Sequence, residues 1–280
     1  MTWSRGVRSF RGRIASRLRN AAHRFVPCPA PYQFLPAPSI VKQTIEFRFL
    51  AAPLVVEAPY HMPLYETVAE VVDYDCYQLR PLARALEGAT VIDIGANVGV
   101  TALCLSRIPG IRLYCFEPDP DNCRQLRSNL ALNSVQHATV IEAAVAAESG
   151  TLQFWRPEHE RVGGRLLAGQ PPGSGQTLEV RALNLDEALA LTEGPVGLVK
   201  IDCEGGEYAI LEQLTPALAA RISRLTLEVH QRGEEQCLAT LAARLRGRGY
   251  ALSTRPDPFG RTGLDHLLAE RSVATEGARA

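Results

Sequence analysis

The stretch Val91-Ile92-Asp93-Ile94-Gly95-Ala96-Asn97-Val98-Gly99-Val100 decides the fold. A short apolar strand carries an acid near its end, and a glycine turn then opens a segment that reads as a helix through Leu105. Gly95 permits the tight turn, and Gly99 allows a ligand or a neighbouring strand to approach the helix start. A dinucleotide-binding turn requires G-x-G-x-x-G, because its backbone wraps a pyrophosphate. Counted from Gly95, the second and third glycines would fall at Asn97 and Val100, so that fingerprint fails. A nicotinamide-dependent oxidoreductase therefore becomes the weaker reading. The remaining pattern is D-x-G-x-x-x-G, with a carboxylate that repels a pyrophosphate but attracts the ammonium of an amino-acid moiety. Asp93, Gly95, Asn97 and Gly99 accordingly become candidate contacts to S-adenosylmethionine.

Outward from this turn, Leu113-Tyr114-Cys115-Phe116-Glu117-Pro118 is a second apolar strand ending in an acid. It lies about twenty residues on, where a carboxylate reaches the two hydroxyls of a ribose. Glu142 and Ala143 close a third strand, at the place where an adenine is held. The pattern predicts strands at 91–94, 111–116, 139–143, 198–201 and 224–229, a helix over 120–132, and a terminal pair of strands near 250–253 and 266–270. Strands that alternate with helices give a mostly parallel sheet with helices on both faces. Thr151 to Trp155 and Thr177 to Leu183 read as added strands around a Gly/Pro-rich loop over 162–175, which is either a substrate-gating lid or a long connection. Before the sheet, Thr44 to Val56 reads as a strand and Leu64 to Leu86 as helix.

The chain has 280 residues and 30 basic against 30 acidic side chains, so its total charge gives no reason to expect nucleic-acid binding. The distribution is uneven, with Arg5, Arg8, Arg11, Arg13, Arg17, Arg19 and Arg24 all preceding the first acid, Glu46. Trp3, Val7, Phe10, Ile14, Leu18 and Phe25 recur at helical spacing. Residues 1–26 thus read as a basic amphipathic arm, first as a terminus that is poorly ordered or lies against the domain, then as a docking element for an anionic membrane or a protein partner, and last as an arginine-rich transit peptide. Residues 27–40 form a linker stiffened by Pro27, Pro29, Pro31, Pro36 and Pro38. The catalytic domain is expected over 90–272, preceded by a strand and helices over 41–89 and followed by a tail at 273–280. Deleting residues 1–26 is expected to leave cofactor affinity unchanged in a calorimetric titration, because every cofactor motif lies beyond the linker. If the arm docks on membranes, the same deletion lowers binding to anionic vesicles in a salt-sensitive way. The 7 cysteines form an odd set without a C-x-x-C pair, which fits reduced thiols in a cytoplasmic protein.

Asp202 and Glu204 follow the apolar strand at 198–201 and flank Cys203 just before Gly205 and Gly206, and His230 closes the next strand. All three are placed where open α/β sheets hold their ligands, at the carboxyl ends of strands. An imidazole with an ordinary pKa near 6.5 suits a proton acceptor, so His230, Asp202 and Glu204 are the candidate catalytic residues. Glu207, one turn into the following helix, is explained by the helix dipole alone. A divalent ion held by Asp202, Glu204 and His230 is chemically feasible, but their spacing matches no metal signature, and none is expected.

These motifs together resemble the FkbM family of S-adenosylmethionine-dependent methyltransferases. The resemblance runs from the glycine turn through Phe116-Glu117-Pro118, Leu185-Asp186-Glu187, Lys200-Ile201-Asp202-Cys203-Glu204-Gly205-Gly206-Glu207 and Leu227-Glu228-Val229-His230. It implies a Rossmann-like class I methyltransferase fold, with a seven-stranded sheet and a reversed last hairpin. It also implies O-methylation of a hydroxyl on a sugar, glycan or secondary metabolite. A catalytically silent S-adenosylmethionine-binding module is the competing reading.

Overall fold

The computed structural model describes residues 42–59, 62–158, 163–167 and 169–271. The expected arm, linker and 273–280 tail lie outside them. Strands are numbered in chain order: β1 (Lys42–Phe49), β2 (Ala52–Pro59), β3 (Thr90–Ile94), β4 (Arg112–Glu117), β5 (Ala138–Glu142), β6 (Ala144–Val145), β7 (Gly150–Pro157), β8 (Arg165–Leu166), β9 (Gly175–Leu183), β10 (Val196–Ile201), β11 (Arg224–His230), β12 (Tyr250–Pro256) and β13 (Leu264–Arg271). The central sheet has seven strands in the order β12-β13-β11-β10-β3-β4-β5. Strands β11, β10, β3, β4 and β5 run parallel, and β13 is antiparallel to both of its neighbours. This is the Rossmann-like class I methyltransferase order. The reversal expected in the last hairpin falls on β13, while β12, paired on its far side, runs with the rest of the sheet.

Every residue of β3 is buried, as a central strand covered on both faces requires. Val91 faces a core shared with Leu103, Leu105 and Leu126, whereas Ile92 and Ile94 face one shared with Phe116, Val199, Ile201 and Ile210. The Pro120–Leu132 helix starts where its residues dictate. Asp119 caps it by accepting the Asp121 N–H at 2.8 Å, and Pro120 occupies the first turn, where no N–H is needed. The parallel arrangement places the carboxyl ends of β3, β4, β10 and β11 along one edge of the sheet.

The segment before the sheet departs from its expected form. Thr44 to Val56 is a hairpin and not one strand, because Leu50 and Ala51 both take positive φ (47° and 65°) and turn the chain between β1 and β2. Neither is the Asn or Gly that normally advertises such a turn. Strand β2 docks on the Pro120–Leu132 helix and its end through amide side chains. Asn129 and Asn133 accept the Glu57 and Val55 N–H groups and donate to the carbonyls of the same residues. The expected helix over 64–86 is broken into Leu64–Val68, a π-helical turn at Ala69–Asp73, Leu79–Leu82 and a tight 3-10 turn at Ala83–Leu86. Asp75 and Gln78, both at positive φ, reverse the chain, and the Asp75 carboxylate caps the restart by accepting from the Leu79 and Arg80 N–H groups.

Strands β6, β9, β7 and β8 form a separate four-stranded sheet in that order. The two added strands are thus a β7–β9 antiparallel pair, and the connection between them contributes β8 against β7. Among the described residues no helix is long and apolar enough to cross a membrane.

Candidate active site

A cavity of about 1070 Å³ opens over the carboxyl edge of the central sheet. The carboxyl ends of β3, β4 and β5 line it with Gly95, Asn97, Phe116, Glu117 and Ala143, and those of β10 and β11 with Asp202, Glu204, Glu228 and His230, to which Arg261 is added. The π-helical turn brings Glu70 and Val71 to the rim, and the β7–β9 connection contributes Gly163 to Leu167. The broken N-terminal segment and the added sheet are therefore both parts of the site.

At the end of β3, Gly95 (φ 77°) passes so close to β10 that a Cβ would lie 1.7 Å from the Asp202 carbonyl oxygen. No other residue fits there. Asn97, also at positive φ, directs its N–H at Glu117 Oε2 (2.9 Å), while its own Oδ1 is buried without a partner. Glu117 Oε1 accepts from the Asp119 N–H (3.0 Å) and from Asn122 Nδ2 (3.3 Å). Burial pushes the Glu117 carboxyl up to about 7, against the N–H donors that favour its charged form. Ala143, Ala144, Val145 and Ala146 supply a smooth, largely apolar wall beside it.

Three expected cofactor contacts lie away from the cavity wall. Asp93 is fully buried behind it and faces Lys200, whose Nζ stands 3.1 Å from Oδ1. An acid in the middle of a strand covered on both faces points into a core, and this one is held there by the buried ammonium. Gly99 serves packing instead: a Cβ there would meet Leu126 Cδ1 at 2.4 Å, so the glycine lets two helices touch. Glu142 is exposed and pairs with Arg127 at 3.3 Å.

Lys200 has a signal in the sequence, since it is the single charge in the apolar strand Val196–Ile201. Its ammonium donates to the Gly95 carbonyl (2.8 Å), pairs with Asp93 and lies 3.6 Å from Asp202 Oδ2. It ties the glycine turn to β10. Tyr77, which no pattern singled out, donates its hydroxyl to Asp202 Oδ2 at 2.7 Å. Although burial opposes ionisation, Lys200, His230, Glu228 and Tyr77 together hold the Asp202 carboxyl down at about 2. Burial and the Asp202 charge push the Glu228 carboxyl well above the carboxylate range. Arg261 closes the far side, bonded to Glu70, Glu228 and Asp257.

His230 sits between two acids. Its Nδ1 is 2.9 Å from Glu207 Oε1, and its Nε2 is 3.4 Å from Glu204 Oε2. Burial pushes the imidazole pKa down, but the Glu207 hydrogen bond and the charges of Glu207, Glu204 and Asp202 carry it above its ordinary value. The structure thus brings all three expected catalytic residues together on the cavity wall and adds Glu207, which the helix dipole had seemed to explain. Asp202, Glu228 and His230 also place ligand-type atoms within 4.8 Å of one another. Arg261 already pairs with Glu228, Lys200 supplies the positive charge beside Asp202, and Nδ1 is engaged by Glu207. We assign no metal to this group.

The Methyltransferase FkbM domain model matches residues 93–252. The chain is 27% identical over 234 residues to the 31-O-demethyl-FK506 methyltransferase FkbM of Streptomyces tacrolimicus, a match covering 73% of this chain and 88% of that protein. It is 27% identical over 152 residues to the hexuronic acid methyltransferase AglP of Haloferax volcanii, covering 53% and 59% of the two chains. Among solved structures, the methyltransferase FkbM from Methylobacillus flagellatus superposes with a TM-score of 0.48 and 17% identity, over 65% of this chain and 43% of that one.

Proposed function

This chain belongs to the FkbM methyltransferase family, and on that premise we propose that it moves a methyl group from S-adenosylmethionine to a hydroxyl of a sugar, glycan or secondary metabolite. The observation that carries the reading is that one cavity is lined by both Glu117 and His230. Its volume, at the upper end of ordinary ligand pockets, suits a cofactor and an acceptor together. The names of two relatives, a 31-O-demethyl-FK506 methyltransferase and a hexuronic acid methyltransferase, favour oxygenated acceptors. The balanced charge favours a small acceptor over nucleic acid, and the six free cysteines among the described residues suit a cytoplasmic setting.

The residues at the ends of β3, β4 and β5 fit the cofactor. Glu117 is a cavity-lining carboxylate whose Oε2 has one acceptor site left for a ribose hydroxyl beside the Asn97 N–H, Asn97 Oδ1 is a buried acceptor without a partner, and the wall from Ala143 to Ala146 suits a flat ring. When bound there, S-adenosylmethionine supplies an electrophilic methyl group. The chain's own residues do the rest. Asp202, held anionic, accepts hydrogen bonds without taking part as a base, and Glu204 faces the acceptor side beside His230. His230 takes the hydroxyl proton on Nε2. Alignment of reacting atoms contributes about 7–11 kcal/mol to such a reaction, and a general base about 10²–10⁴ in rate.

Glu117→Ala is expected to weaken binding of S-adenosylmethionine and of its demethylated product by about 1.5–3 kcal/mol without unfolding the domain. The wild-type affinity should also fall as pH drops through about 7, because hydroxyl donors require the ionised carboxylate and protonation removes it. Calorimetry at pH 6 and 8 tests both. A folded variant with unchanged affinity would remove Glu117 from the cofactor site.

A further inference from the structure

Glu207 is more than a solvated acid at a helix start. Its side chain is fully buried, where a charge without close partners is costly. Its Oε1 receives three nitrogen groups, the Cys203 N–H (3.3 Å), the Gly205 N–H (3.1 Å) and His230 Nδ1 (2.9 Å), with the Cys203 thiol a weaker fourth at 4.0 Å. The two backbone donors come from the loop that follows β10, and the histidine from the end of β11. One carboxylate oxygen therefore fixes the imidazole against the loop that carries Asp202 and Glu204. Its Oε2 is buried with no partner, so that side of the carboxylate is free of competing donors.

We propose that Glu207 is a positioning residue: by accepting the Nδ1–H of His230 it leaves Nε2 as the lone-pair nitrogen on the cavity and strengthens it as the base for the acceptor hydroxyl. This inference rests on the methyltransferase reading given above. In the reaction, the O–H bond of the acceptor breaks, its proton goes to Nε2, and its bonding pair stays on the oxygen for the new bond to carbon. The Nδ1 proton remains on the ring beside Glu207. The acids that face the ring, Glu207, Glu204 and Asp202, act in the same sense. The β10 end contributes Asp202 and Glu204, β11 itself contributes Glu228, whose carboxyl burial and Asp202 push up, and Arg232, a cation of the opposite sense, is bonded to the Glu204 carbonyl. On β13, His266 is held neutral by burial, with its pKa lowered to about 4. The imidazolium formed in turnover is thus received between Glu207 and Glu204.

Glu207→Gln tests this with little change of shape, since the amide oxygen can keep the three Oε1 contacts and the amide nitrogen replaces the atom that has no partner. The ring nitrogens of His230 are followed by ¹⁵N NMR in the full chain, with the resonances assigned by their loss in His230→Ala. The wild type should show the Nδ1–H tautomer at high pH. In Glu207→Gln the titration midpoint should fall by about one unit or more. The acid limb of the rate profile should move down in parallel, and kcat should fall at least about tenfold, while calorimetric affinity for S-adenosylmethionine is retained. A folded Glu207→Gln protein with an unchanged midpoint and an unchanged rate profile overturns the proposal. Should the variant not fold, the wild-type tautomer decides, and an Nε2–H ring overturns it. The NMR arm needs neither donor nor acceptor. A coupled Glu207–His230 pair in a chain that transfers no methyl group would therefore count against the methyltransferase reading alone.

Discussion

Replacing His230 with Ala is expected to lower methyl transfer by about 10²–10⁴ while affinity for S-adenosylmethionine stays near that of the wild type. The selectivity follows from the separate partners of the two residues, because His230 is engaged by Glu207 and Glu204 whereas the Glu117 carboxylate is held by Asn97, Asp119 and Asn122. Its removal takes away the proton acceptor without touching Glu117, Asn97 or the wall at Ala143. Wild-type turnover should fall toward acid pH as the imidazole protonates. Since Glu207, Glu204 and Asp202 outweigh burial and raise the histidine's pKa, the midpoint of that fall should lie above the ordinary imidazole value near 6.5. Steady-state rates from pH 5 to 9, with calorimetry of the variant, check both parts. Full activity of a folded His230→Ala protein at neutral pH would leave alignment as the whole source of rate.

Lys200→Met should cost about 3–5 kcal/mol of stability, the largest loss expected from any single change at the site. Lys200 is buried at 2% exposure between Asp93, which is entirely buried, and Asp202. Methionine fills similar space but leaves the Asp93 carboxylate in the core without its counter-charge, and the Gly95 carbonyl without its donor. The penalty comes from the abandoned partner more than from the lost pair, so Asp93→Asn combined with Lys200→Met should recover a substantial part of it. Urea denaturation of the two variants measures the difference. A loss below about 1 kcal/mol in Lys200→Met would show that the buried ammonium does not hold the glycine turn to β10.

Most of the central sheet was legible because its signals are local. The apolar runs of β3, β4, β10 and β11, and the Asp119-Pro120 start of the long helix, name their own structures. The hairpin turn at Leu50-Ala51 and the chain reversal at Asp75 and Gln78 were not, since these residues take positive φ without glycine and tertiary packing overrides their preference. The candidate site divides in the same way. Asn97, Glu117, Ala143, Asp202, Glu204 and His230 stand on the cavity wall because residues at strand ends reach the sheet edge. Asp93 follows the same motif but sits one step back inside the strand, where its carboxylate turns to Lys200. Glu207 was read as a dipole partner because sequence cannot show that β11 ends 2.9 Å away. Tyr77 reaches Asp202 across 125 residues of chain, and no spacing rule spans that distance.

Transfer of an isotopically labelled methyl group tests the central claim most directly. The full chain is incubated with labelled S-adenosylmethionine and a panel of hydroxylated sugars, glycans and secondary metabolites, and products are identified by mass spectrometry with fragmentation. The account predicts one labelled methyl on an acceptor oxygen with the wild type, and its near-complete loss with His230→Ala although that variant still binds the donor. Label recovered on carbon or nitrogen, or on oxygen at equal rates with both proteins, would contradict it.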